Sequence, residues 1–127
     1  MKKIITDRAP AAIGPYSHGT MTGNLIFCSG QTPINPATGK IEGATVSEQT
    51  TLVLSNLEGV LKTVGADRTH VLKTSVFLKN FADFQLMNKA YEAFFGDHKP
   101  ARTTVEVSRL PLDALVEIEC VAEKIKE

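Results

Sequence analysis

Nine residues near the C-terminus, Leu115 to Glu123, restrict the fold more than any other stretch of this chain. Their side chains alternate, the period-2 pattern of a β-strand whose neighbouring residues point to opposite sides of a sheet. Val116, Ile118, Cys120 and Ala122 make one side wholly apolar, while Leu115, Glu117, Glu119 and Val121 make the other part apolar and part acidic. Such a strand belongs in a sheet with one dry side and one side of mixed character. The rest of the chain must supply the cover for the dry side.

Two segments have the pattern to do so. Thr45 and Glu48 have the spacing of a capping box, in which the Glu48 side chain returns to the backbone N–H of the cap. Val53, Leu54, Leu57, Val60, Leu61 and Val64 then follow at helical spacing, and Gly65 is placed to end the helix in the left-handed conformation. A second helix is expected over Asp83 to Phe95, with Phe84, Met87, Tyr91, Phe94 and Phe95 on one stripe and Gly96 as its stop. Strands are expected at Lys2 to Thr6, at Tyr16 to Thr22 and Leu25 to Ser29 as a hairpin through Gly23-Asn24, at His70 to Lys79, at Thr103 to Ser108 and at Leu115 to Glu123. Gly30 to Gly43 reads as an ordered loop with a small hairpin at Asn35 to Lys40. The chain is one domain, residues 1–127, of the α+β class: about six strands in one layer and two helices in the other.

Both helices are spent on one side of the sheet. The Thr103 to Ser108 strand divides into Thr103, Val105 and Val107 against Thr104, Glu106 and Ser108, and Glu106 is expected on the open side with Glu117 and Glu119. In the His70 to Lys79 strand, Val71, Ser75 and Phe77 oppose Leu72, Thr74, Val76 and Leu78, so apolar residues occupy both sides. A strand apolar on both sides calls for cover on both. In a chain this short a second copy is the most economical cover, and a homo-oligomer is expected.

Charge and motifs narrow the function classes. The 14 basic and 14 acidic residues cancel, with no basic stripe for a nucleic-acid backbone. No apolar run approaches the roughly 20 residues that span a bilayer, and no signal-peptide core is present; a cytoplasmic protein without a membrane partner is expected. Cys28 and Cys120 lie far apart, each in an apolar strand-like run, and read as buried small hydrophobes. His18, His70 and His98 lack ligand spacing, so no metal is expected, and there is no phosphate loop or nucleophile elbow.

Four positions can carry chemistry. Arg102, at the mouth of a strand, offers a planar fork that fits a carboxylate; the alternative is a surface arginine paired with a nearby glutamate. Glu117 handles protons if its side of the sheet is covered and is a solvated strand residue if it is open. Tyr16, after Gly14-Pro15, is either a pocket wall or a strand-edge tyrosine. Ser29-Gly30-Gln31 either lets a ligand approach the backbone or makes a tight bend.

The residues together resemble the RidA/YjgF family, whose archetype hydrolyses 2-imino acids. The resemblance rests on AlaProAlaAlaIleGlyProTyrSer (9–17), CysSerGlyGln (28–31), Thr74 to Leu78, AsnLysAlaTyrGluAlaPhePhe (88–95), ProAlaArg (100–102), ValGluValSerArgLeuPro (105–111) and GluIleGlu (117–119). It implies a chorismate-mutase-like fold, a mixed sheet with two helices on one face, assembled as a homotrimer with active sites at the subunit interfaces. It implies hydrolysis of 2-iminopropanoate and 2-iminobutanoate to a 2-keto acid and ammonia, with no cofactor. By position, Arg102 would bind the substrate carboxylate with help from the Gly30 N–H, Glu117 would place or activate water, and Tyr16 would line the pocket. Ser29 and Asn88 would shape the site. Thr104 stands where many deaminase members have cysteine; a backbone role survives that change and a thiol role does not. Two rival readings are a non-catalytic module that binds small carboxylates in the same pocket, and a ribonuclease or translation inhibitor, which the zero net charge disfavours.

Overall fold

The computed structural model describes residues 1–124. The strands are β1 (Lys2–Ile4), β2 (Gly19–Thr22), β3 (Leu25–Gln31), β4 (Ile34–Asn35), β5 (Lys40–Ile41), β6 (Val71–Leu78), β7 (Ala101–Glu106) and β8 (Val116–Glu123); α1 (Val46–Thr63) precedes β6 and α2 (Phe84–Phe95) precedes β7. Six strands form one sheet in the order β1-β2-β3-β8-β6-β7, and β4 and β5 form the small separate hairpin. Every neighbour in the large sheet is antiparallel except β6 and β7, which α2 connects as a parallel pair. The sheet is therefore mixed, as expected.

Local chemistry sets the helix ends. The Thr45 hydroxyl accepts the Glu48 N–H at 3.2 Å. The return half of the capping box differs from expectation: the Thr45 hydroxyl donates a hydrogen bond to the Glu48 carboxylate at 3.1 Å. The hydroxyl proton remains available once the hydroxyl's lone pair is used by the backbone. At the far end Gly65 has φ 80°, and the Ala66 and Gly65 N–H groups donate to the carbonyls of Leu61 and Lys62. These are the paired bonds of a Schellman ending.

The core lies between the helices and one side of the sheet. Ile26 and Cys28 of β3, Val116, Ile118, Cys120 and Ala122 of β8, and Val76 and Leu78 of β6 meet Val53, Leu54, Leu57, Val60 and Leu61 of α1 and Met87, Tyr91 and Phe95 of α2. Cys28 and Cys120 are directly opposite each other in this core as free thiols. The contact with Cys28, then burial, push the Cys120 thiol well up. Both cysteines are buried and pack as small hydrophobes.

Three expectations change. In β6 the pairing slips between Val71, opposite Ala122, and Lys73, opposite Val121. This one-residue bulge turns Val71 into the core and leaves Leu72 47% exposed, the reverse of strict alternation. The open side of β6 is thus Lys73, Ser75 and Phe77, less apolar than the sequence pattern implied, and Phe27 and Val105, both over 40% exposed, carry much of that side's apolar character. Second, β7 begins at Ala101, so Arg102 lies within the strand rather than at its mouth. Its register sets Arg102 beside Thr74, Thr104 beside Val76 and Glu106 beside Leu78. Partners in a pleated pair share a side, and Thr74, Val76 and Leu78 are fully buried beneath the helices. Arg102, Thr104 and Glu106 are therefore on the helix side. Third, Glu106 is not grouped with Glu117 and Glu119; it accepts the Phe81 N–H at 2.7 Å and holds the turn that leads into α2.

The early strands are also shorter than expected, with β1 ending at Ile4 and β2 beginning at Gly19. The intervening loop folds around buried His18, whose ring meets the Pro10 carbonyl at 2.7 Å and the Thr6 N–H at 3.3 Å.

Candidate active site

The seven site residues named from sequence fall into two groups, on opposite sides of the sheet. Arg102 and Asn88 line a recess of about 300 Å³ between α2 and the start of β7, together with Tyr91, Phe95 and His98. Thr104 is the next residue on the same side of β7. The Arg102 guanidinium lies 4.8 Å from the centre of the Tyr91 ring and 5.6 Å from that of Phe84. Among the described residues no carboxylate is within ion-pairing distance of it. Asn88 Oδ1, in this recess, and Thr104 Oγ1, one step along β7, are buried without a hydrogen-bond partner among the described residues, as is Thr50 Oγ1 in α1. Orphaned polar atoms of this kind are costly, and a ligand or water in the recess would satisfy Asn88.

Glu117, Gly30, Ser29 and Tyr16 make the second group, in a recess on the open side that Ile13, Pro111 and Glu119 complete. A second bulge builds it. Cys28 pairs with Cys120 and Gln31 with Ile118, so β3 carries one residue more than β8 over this stretch. Gly30 uses the added length to lie flat beneath Glu117: a side-chain methyl there would stand 2.8 Å from Glu117 Oε2. Only glycine allows that approach. The Ser29 hydroxyl donates to the Ser17 carbonyl at 2.7 Å and its N–H to the His18 carbonyl at 3.0 Å, which ties the Tyr16 loop to β3. The Tyr16 ring packs against Gly14 and is 46% exposed.

Glu117 is half-buried, with no basic partner within ion-pairing distance among the described residues. Burial, and then the charge of Glu119 beside it, raise its carboxyl above the ordinary value of 4.5. A carboxylate made more basic in this way can accept a proton from water.

Arg102 and Glu117 do not meet within one protomer. β7 and β8 are separated by β6, and Arg102 is level with Thr74 while Glu117 is level with Phe77. Two strand spacings and three residues of rise place their Cα atoms roughly 14 Å apart, with side chains on opposite sides of the sheet. The same geometry separates Arg102 from the Gly30 N–H, so the cooperation between them implied by the resemblance is absent from a single chain. The sequence reading also missed Tyr91 and Phe84, which support Arg102. Their only signal was membership of the apolar stripe of α2, and core residues give the same signal. Among the described residues no three His, Cys, Asp or Glu side chains converge as a metal site.

The chain as a whole is similar to known proteins. Residues 6–124 match the family described as Endoribonuclease L-PSP. A RutC family protein of Pyrococcus abyssi is 48% identical over 95% of this chain and 95% of its own. The 2-iminobutanoate/2-iminopropanoate deaminase of Escherichia coli is 46% identical over 95% of this chain and 96% of its own. The crystal structure of the Escherichia coli YjgF gene product superposes with a TM-score of 0.94 at 44% identity, covering 98% of this chain and all of the other.

Proposed function

The chain belongs to the YjgF/RidA family, and from that premise we propose that it is a hydrolytic deaminase of 2-imino and 2-enamino acids. The substrates are small 2-imino acids such as 2-iminopropanoate and 2-iminobutanoate; the products are the 2-keto acid and ammonia. The observation that carries this reading is the state of Arg102, a half-buried arginine on an aromatic shelf, facing a recess, with no carboxylate beside it among the described residues. Arg68 supplies the contrast. It also lies on an aromatic ring, 3.9 Å from the centre of Phe94, but Glu58 fills its fork at 2.8 and 2.7 Å. Arg68 is a structural clamp, whereas Arg102 keeps its fork for a ligand.

The chemistry asks little more of the protein. An imine carbon is already electrophilic, so anchoring the carboxylate and placing one water supply most of what a catalyst can add. Arg102 takes the carboxylate, and Asn88 and Thr104 shape the recess around it. Glu117 orients the water and accepts its proton as the water oxygen bonds to C2. Glu117 returns that proton to the nitrogen; the C2 hydroxyl then gives up its own proton as its oxygen becomes the keto C=O, and the C–N bond breaks to release ammonia carrying both protons. Gly30 offers its backbone N–H, Ser29 holds the loop, and Tyr16 walls the recess. No cofactor is needed for these steps.

Because the two groups face opposite ways, one protomer holds two half-sites. We assign the complete site to an interface, where the Arg102 half of one protomer meets the Glu117 half of its neighbour in a homotrimer. The exposed apolar residues of the open side, Phe27 and Val105, fit burial in such an assembly. The direct test is to generate 2-iminopropanoate in situ and follow its loss. Hydrolysis faster than the buffer blank is expected, and a rate equal to the blank rejects the assignment. Arg102→Ala should cost roughly 10- to 150-fold in kcat/KM, the worth of a charged hydrogen bond.

A further inference from the structure

We infer that Tyr91, tethered by Thr74, is the positioning residue that presents the Arg102 guanidinium to a ligand carboxylate. The inference rests on the reading of Arg102 as the carboxylate anchor. An arginine without a protein carboxylate has four side-chain torsions to order, and a mobile guanidinium would bind an anion weakly. Something must hold it without occupying its donors. A ring face does this: the cation rests on the π cloud while the N–H groups, which lie in the plane of the guanidinium, stay free at its edge.

Tyr91 is built for this task. The residue is buried, and its ring centre lies 4.8 Å from the Arg102 guanidinium carbon. Its hydroxyl shares a 2.7 Å hydrogen bond with Thr74 Oγ1, itself fully buried. Thr74 is also the residue level with Arg102 across the β6–β7 pair. The shelf and the arginine it supports are therefore fastened to the same rung of the sheet, one by a side-chain bond and the other by backbone pairing. Phe95 backs the Tyr91 ring with centroids 4.7 Å apart, so the ring cannot swing away along α2. Burial raises the phenol above its ordinary value of 10.0, and it stays neutral while it holds the cation.

The experiment titrates propanoate calorimetrically into the intact protein and measures KM and kcat for 2-iminopropanoate beside it. Tyr91→Leu removes the ring face, and the cation–π range predicts propanoate binding weaker, and KM higher, by roughly 2- to 30-fold. The effect on kcat should be smaller. Tyr91→Phe, which keeps the ring and loses only the tether, should restore most of the affinity. In an Arg102→Ala background, adding Tyr91→Leu should change kcat/KM by less than about two-fold, since the ring acts only through the arginine. Should Tyr91→Leu fail to fold, Tyr91→Met fills the same space with a flexible chain and no ring face, and the same loss is expected. A folded Tyr91→Leu or Tyr91→Met protein with wild-type propanoate affinity overturns the inference, as does equal weakening in Tyr91→Phe. Propanoate binding without imine hydrolysis rejects the deaminase reading and leaves the shelf standing; no propanoate binding by the wild type rejects the shelf.

Discussion

Gly30 and Glu117 show how closely the candidate chemistry depends on single atoms. Gly30 has no positive φ, so its backbone accepts alanine, and the added methyl would instead displace the carboxylate 2.8 Å away. Gly30→Ala is expected to fold with a near-wild-type melting temperature and to lose roughly ten-fold or more in imine hydrolysis, because a misplaced catalytic group costs rate steeply. Glu117 is raised by burial first and by Glu119 second. Glu119→Gln removes the second cause, so the acid limb of the pH–rate profile should move to lower pH; a limb that stays in place belongs to another group. The same shift has a sign in stability. Folded Glu117 holds its proton above 4.5, so its contribution falls as pH rises through that window. Glu58 behaves oppositely. The hydrogen bond from Arg68 is the main cause that lowers its carboxyl below 4.5, and its contribution is present above 4.5 and lost as pH falls through the lowered value. Glu58→Gln should therefore lower the melting temperature at neutral pH and flatten its decline in acid, as thermal denaturation across pH will show.

Elements differ in how much of themselves they declare. The start and end of α1 are written in Thr45 and Gly65, and each acts through its nearest neighbours. Thr45→Ala should cost about 1 kcal/mol of stability in chemical denaturation with activity unchanged, the usual worth of an N-cap. The two bulges are different. Nothing around Leu72 announces an extra residue, and Gly30 allowed a bend or a close approach without deciding between them, because a bulge is defined by what the partner strand does. One bulge reversed the expected sides of Val71 and Leu72; the other placed Gly30 beneath Glu117. The sides of β7 were equally hidden. Its alternation offered two similar mixed faces, and only pairing with β6 decided that Arg102 and Thr104 belong under α2.

At the scale of the molecule, the proposed site, with its two groups of residues on opposite sides of one sheet, makes a specific demand on assembly. Sedimentation should give a multiple of the 13.8 kDa chain mass, with a trimer expected. If each site joins Arg102 of one protomer to Glu117 of another, two inactive variants can repair each other. Arg102→Ala and Glu117→Gln, refolded together in equal amounts, should recover about a quarter of wild-type imine hydrolysis, the random chance that an interface receives both intact halves. A site contained in one protomer would recover none. What the sequence determined by itself was local or periodic: the caps, the two amphipathic helices, the alternating last strand, and the residue types able to bind a carboxylate and activate water. These follow from chemistry between near neighbours and are legible in order along the chain. Which side of the sheet each residue occupies, which ring supports Arg102, and why Arg102 and Glu117 face apart were decided only by tertiary structure. Register and bulges arise from pairing between strands distant in sequence, and a shift of one residue exchanges the two faces of a strand without changing a letter of it.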